Sequence, residues 1–475
     1  MKYDVIVIGS GFGGLICARQ LAQSGRSVLV LERQHQAGGC LQSFQRGTYS
    51  FDTGFHYVGG LAEGQPLHDI FQQLGLMRLP WQRLDADGFD RVTIGDRTFA
   101  FTEGYDRFAQ TLGDAFPHQR EPLRQYVQLL QDMPSAEQLG AVNAYDYLTG
   151  TFSDPLLVNV LASTSLKMEL RRESLPLFTF AHGNSSYIQS SWRLRGSGQL
   201  IVRALTDDLQ AFGGTLLCHA EVEELVERDG RIVAARCSNG ETYEGSTFIS
   251  DVHPVQTLQW VKESQLLKPL YRRRIQQLEN TFGMFIASLV LKPGSLPYFN
   301  HNKFVYRQAN VWDAPGNTPD RVMVSCRVPE HMGSVSDDAD RGLQVDLLTP
   351  TPWSCWQQWS ATRPGHRGED YQQLKKQTAD TLIALAGCVI PGLDQMVSQC
   401  FTSSPLTWRD YNLTPDGSAY GIRKDCRMPM LTMLSTRTPI PNLLLTGQNL
   451  MLHGLEGVAM TALQTINNIK KNISS

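Results

Sequence analysis

The hydrophobic pattern opens with an unbroken apolar run, YDVIVIG over residues 3–9, which predicts a strand buried on both faces of a parallel sheet. It leads into Gly9-Ser-Gly11-Phe-Gly-Gly14 and then LICARQLAQSG, whose apolar spacing is helical and ends at Gly25. SVLVLE, 27–32, repeats the buried-strand pattern and closes on an acid. Between 213 and 254 apolar and polar positions alternate, with turn pairs Asp229-Gly230 and Asn239-Gly240, which predicts a small β-meander. LLLTG, ending at Gly447, predicts another buried strand, followed by a loop and a helix opening around Gly454 and Gly457. Residues 108–117 and 121–133 carry helical periodicity, while 154–163 and 175–181 are apolar patches. None of these runs approaches the roughly 18 apolar residues that a membrane span needs.

Strand, glycine turn, helix, strand, acid is the order of a dinucleotide-binding unit. Gly9 permits the sharp turn, Gly11 lets the backbone approach a pyrophosphate, and Gly14 lets the helix pack on the strand. The helix N-terminus offers unpaired N–H groups to phosphate, and Glu32 stands where a carboxylate accepts ribose hydroxyls. The motif alone leaves NAD and FAD open. No second fingerprint follows, since GSGQLI at 196–201 lacks the third glycine.

Composition narrows the class. The 475 residues suffice for two or three lobes, and 41% hydrophobic with 19% charged residues is ordinary for a globular chain. A net charge of −3 gives no electrostatic case for nucleic acid. Nine cysteines include no C-x-x-C pair, so no metal site is expected, and their odd number with no recognisable export leader favours a reducing, cytoplasmic setting.

Glu32-Arg33 followed by the pair Gly38-Gly39 resembles the extended FAD signature of the amine oxidase and phytoene desaturase superfamily. Within it, GGCLQSFQRGTYSFDTGFHYVGG (38–60), LTGQNLMLHGLEG (445–457) and SPLTWRDYNLTPDGSAYGI (404–422) resemble the retinol saturase branch and its bacterial homologues. The resemblance runs over essentially the whole chain and is weakest at 135–195 and 260–400. It implies an α/β fold with a discontinuous Rossmann-like FAD-binding domain of the glutathione reductase type, formed by 1–75, 195–255 and 425–475. An inserted α+β substrate domain, 76–194 and 256–424, is expected to face the lipid-like substrate. FAD contacts are expected from Gly9, Gly11, Gly14, Glu32, Arg33, Gly38, Gly39, the strand backbone near Val222, Gly447 and Gly457. Glu456 departs from the family's uncharged residue, and is expected either at the surface or against a substrate hydroxyl.

The same resemblance implies an FAD-dependent oxidoreductase acting on a carbon–carbon double bond of a hydrophobic polyene or isoprenoid, with reduction favoured. Carotenoid desaturation or cis–trans isomerisation is the alternative in the same fold, and a non-redox escort for prenyl lipids is the alternative of another class. Protonating the second carbon requires an acid, and His56, Tyr57 and Tyr420 are the candidates, set against a purely structural role for the His-Tyr pair. The electron partner is unknown. Trp353, Trp356 and Trp359 at i, i+3, i+6 predict one helix face, more in keeping with core packing than with a membrane interface. The basic run from Lys268 to Arg274 reads as a solvated helix face, and together with the apolar patches it favours peripheral membrane contact.

Overall fold

The computed structural model describes residues 2–329 and 342–474. Two seven-stranded sheets organise them. In the first, Lys2–Ile8 lies between Val28–Leu31 and Thr242–Ser250, all parallel, with Thr215–Leu217 parallel beyond Val28–Leu31. Strand Thr242–Ser250 changes partner along its length. Its first residues pair antiparallel with Arg231–Cys237 and its last three pair parallel with Leu443–Leu445. The expected meander therefore comprises the three strands from Val222 to Ser250, while Thr215–Leu217 belongs to the parallel part.

Alternation along the first strand explains why a continuous apolar run is needed here. Val5 and Val7 face one way, into a cluster with the helix Phe12–Gln23 and the closing helix Gly454–Ser474. Ile6 and Ile8 face the other way, into a second cluster with Leu225, Phe248 and Leu443. A strand covered on both faces has no polar side to show water.

The second sheet runs in the order Val397–Ser403, Gly283–Leu291, Gln344–Thr351, Arg321–Cys326, Asn302–Tyr306, Asp90–Ile94, Arg97–Phe101. It is antiparallel except between Asn302–Tyr306 and Asp90–Ile94. One face, with Phe285, Val324 and Leu347, packs on the helix Gly368–Ala386 and on Trp356 and Trp359. The other face, with Met284, Ile286, Met323 and Leu348, turns towards the helices between 105 and 189.

The tryptophans do not share a helix. They sit on two short 3-10 turns, Trp353–Cys355 and Gln357–Trp359. Trp356 is 1% exposed and stacks on Phe285 at 5.7 Å, so it fills core.

The expected boundary at 255/256 also shifts. Leu258, Trp260, Leu267 and Ile275 pack with Ile6 and Leu443, so the helices Pro254–Trp260 and Pro269–Gln276 cover the first sheet. Within the basic run, Arg272 donates to the carbonyls of Leu258 and, at 2.6 Å, Val261; that guanidinium ties two helices together rather than facing solvent. A small sheet of Val58–Gly59, Ser191–Leu194 and Trp81–Arg83 joins a strand from the expected 1–75 segment to two from 76–194. No helix among the described residues is long and apolar enough to cross a membrane.

Candidate functional site

The turn after the first strand is built around a carboxylate. Asp251, at the end of Thr242–Ser250, accepts the N–H of Gly14 at 2.9 Å. A Cβ on Gly11 would lie 2.4 Å from its Oδ2, and a Cβ on Gly447 would lie 2.3 Å from its Oδ1. Both glycines are therefore required by close approach. Burial raises the Asp251 carboxyl to about 7, against the lowering effect of the Gly14 amide. Glu32, 8% exposed, accepts Ser10 N–H at 3.0 Å and Ser10 O–H at 2.5 Å on one oxygen. Its other oxygen accepts Gln34 N–H at 2.8 Å. These bonds fix the acid across the turn and leave its remaining lone pairs directed at the cavity it lines.

One cavity joins every nucleotide-contact residue expected from sequence except Gly14, whose amide is turned to Asp251. Gly9, Gly11, Glu32, Arg33, Gly38, Gly39, Val222, Gly447 and Gly457 all line it. Gly39 approaches Gly11 so closely that a Cβ would lie 3.2 Å from the Gly11 Cα. Arg33 donates to the carbonyls of Asp410 and Tyr411 at 2.8 and 2.9 Å, pinning the C-terminal end of the helix Pro405–Asn412 beside the Glu32 end of the cavity. At the opposite end stand Met284, Ile286, Met323 and Leu348 from the second sheet. A glycine cradle without side chains, a helix N-terminus and a ribose-height acid at one end fit a dinucleotide, and an apolar chamber continues from it.

The three candidate proton donors lie on this chamber, but two have their hydrogens committed. Tyr57 donates to Asp90 at 3.0 Å, and Asp90 also accepts from Asn302 at 2.8 Å. Tyr420 donates to the carbonyl of Leu166. Burial holds both phenols well above their ordinary value. His56 has its Nδ1 3.8 Å from Asp346, and burial pushes its pKa down, which leaves it neutral.

Three further ionisable groups line the cavity. Glu456, in the first turn of the closing helix, lines it, and burial raises its carboxyl to about 7. Lys167 places its ammonium 3.8 Å from the centre of the Tyr187 ring, and its pKa is lowered to about 8 by burial, with Asp90 opposing. Asp251 is the third. Neither Lys167 nor Asp251 announces itself in sequence: each is one charged residue beside an apolar stretch, and only the fold brings it to the cavity.

A family model described as an NAD(P)-binding Rossmann-like domain matches residues 7–74. The all-trans-retinol 13,14-reductase of Rattus norvegicus is 27% identical over 533 residues, covering 100% of this chain and 87% of that protein. A chloroplastic prolycopene isomerase of an Oncidium hybrid cultivar is 29% identical over 306 residues, covering 56% of this chain and 50% of its own length. Among solved structures, an oxidoreductase from Methanosarcina mazei superposes with a TM-score of 0.68 at 16% identity, covering 98% of this chain and 100% of that one. That last likeness speaks for the fold.

Proposed function

We propose that this chain, which is similar to retinol 13,14-reductases and prolycopene isomerases, is an FAD-dependent oxidoreductase reducing a carbon–carbon double bond of a hydrophobic polyene. The observation that carries this reading is the continuity of one cavity from the nucleotide cradle at Gly11 and Glu32 to the apolar chamber at Met284 and Leu348. The full-length match to a retinol reductase supports reduction over the isomerase alternative, which matches over about half the chain.

When bound, FAD supplies hydride chemistry that none of the protein's side chains provides. Glu32 and the glycine turn hold the nucleotide, and Gly38, Gly39, Gly447 and the start of the closing helix border the ring end. Positive potential at that helix N-terminus favours negative charge there. Met284, Ile286, Met323 and Leu348 exclude water and align the chain of the substrate.

The proton for the second carbon comes from Glu456. Its carboxyl keeps its proton up to about pH 7, whereas Tyr57 and Tyr420 are engaged elsewhere and His56 is a weak acid when neutral. The His-Tyr pair of FDTGFHYVGG then shapes the chamber instead of driving the chemistry.

An anaerobic spectrum of the photoreduced protein mixed with all-trans-retinol tests the function. Flavin reoxidation with loss of polyene absorption is expected. A folded preparation that binds polyene but carries no reducible flavin would instead fit a lipid-escort protein, and a flavin that stays reduced would count against reduction of this substrate.

A further inference from the structure

Two buried cations, Lys424 and Arg193, are bonded to the protein, Arg193 through all but its Nε. Lys424, 7% exposed, donates to the carbonyls of Thr432 and Asn449 at 3.1 and 2.8 Å. Arg193, 2% exposed, donates to the carbonyl of His301 at 2.9 Å and the side chain of Asn302 at 2.6 Å. Lys167 differs. Among the described residues no hydrogen bond or ion pair occupies its three N–H donors. Its ammonium rests on aromatic faces alone, 3.8 Å from the Tyr187 centroid and 5.8 Å from that of Tyr57. Asp90 balances its charge from behind the Tyr57 hydroxyl, without an ion-pair contact.

Lys167 is part-exposed and lines the cavity, so a ligand that fills this space and cuts the ammonium off from water costs free energy unless it brings an acceptor. Only the cavity can bring one, since Lys167 lines it. The backbone that carries it is tied down. His453, immediately before the closing helix, donates its Nε2–H to the Lys167 carbonyl at 2.7 Å, and Tyr420 donates to the preceding carbonyl of Leu166. The segment thus sits beside the start of the closing helix, with its ammonium against the Tyr187 face.

We propose that Lys167 is the anchor for an oxygen atom at one end of the substrate, so that the chamber takes oxygenated polyenes, alcohols in the first place, in preference to pure hydrocarbons. The proposal rests on the reading of this cavity as a polyene site. With Asp90 close by, the local charge is balanced, which suits a neutral hydroxyl as acceptor. A hydrocarbon chain entering the same chamber leaves the ammonium unpaired and desolvated. Sites built to hydrogen-bond a substrate oxygen discriminate strongly against analogues lacking it. The anchor also orients the chain, setting its oxygenated end beside the ring end of the chamber and its hydrocarbon end towards Met323 and Leu348.

The test is equilibrium binding to the oxidised holoprotein, where no turnover occurs. The probes are all-trans-retinol and its deoxy analogue, in which methyl replaces hydroxymethyl, followed by tryptophan fluorescence quenching. Wild type is expected to bind the alcohol at least about tenfold more tightly, the scale of one hydrogen bond to a charged group. Lys167→Met is expected to abolish the preference by weakening the alcohol alone, and Lys167→Arg to retain most of it. Equal affinities in wild type overturn the proposal even if the Met variant fails to fold, and so does a preference that survives Lys167→Met. Photoreduced wild type then separates the two ideas. If it is reoxidised by both polyenes while binding them equally, the enzyme reading stands and the anchor falls. If neither polyene binds, both fall.

Discussion

Asp251 and Gly14 meet through a 2.9 Å hydrogen bond across 237 positions of sequence, so the end of one strand clamps the turn that follows another. The clamp has a pH signature. In the fold the Asp251 carboxyl ionises at about 7 against an ordinary 3.8, so the folded chain holds a proton that the unfolded chain has released between those values. Its stabilising contribution is complete below about pH 4 and is lost as pH rises through 7. Asp251→Asn, which cannot ionise, should therefore gain on the wild-type apoprotein by up to about 1.4 kcal/mol per pH unit across that window. Thermal midpoints of both proteins at pH 4.5 to 8.5 check this, and a gap independent of pH would refute it.

Glu32 spans the turn and the nucleotide position at once. Glu32→Ala should raise the apparent Kd for FAD at least about tenfold, the scale of lost hydrogen bonds to a carboxylate. The bound flavin remaining after repeated desalting, read from its visible absorbance, gives the answer directly.

Glu456 is expected to be the acid. Glu456→Gln should slow polyene-dependent flavin reoxidation by about 10²–10⁴, whereas Tyr57→Phe and Tyr420→Phe should stay within about tenfold of wild type. Because the acid must be protonated to act, the wild-type rate should fall as pH rises through about 7. Stopped-flow traces across that range distinguish Glu456 from the phenols. Tyr57→Phe should still cost about 1–3 kcal/mol of stability, since it deprives the fully buried Asp90 of a partner.

Trp356 belongs to the core of the second sheet, against Phe285 and Tyr371. Trp356→Ala should destabilise by about 3–5 kcal/mol and leave vesicle binding unchanged. A variant of native stability that loses vesicle binding would instead favour the membrane-interface role.

The parts of this protein written as contiguous pattern were legible before the fold was known. Strand, glycine turn, helix and acid lie within 32 residues, and each residue type has a local physical reason to be there. The closing strand and helix were legible for the same reason. The chamber was not. Lys167 reaches it from a short turn that the sequence around it does not mark, and its isolation from other donors and acceptors emerges only when Tyr57, Tyr187 and Asp90 arrive from three separate segments. The tryptophan spacing misled because periodicity at i, i+3, i+6 suits 3-10 turns as well as an α-helix. The domain boundary moved because Leu258 and Ile275 belong by packing, not by sequence position, to the first sheet.

The pairing of Lys2–Ile8 with Thr242–Ser250, and of that strand in turn with Leu443–Leu445, also bears on how this protein folds. Lys2 pairs with Glu244 and Phe248 with Leu443, so the sheet that carries the glycine turn closes only when segments far apart in sequence meet. Such long-range pairing slows folding and prolongs the exposure of apolar strand. The turn at Gly11 and Gly14 is thus completed by a carboxylate from a distant strand, not by its own neighbourhood.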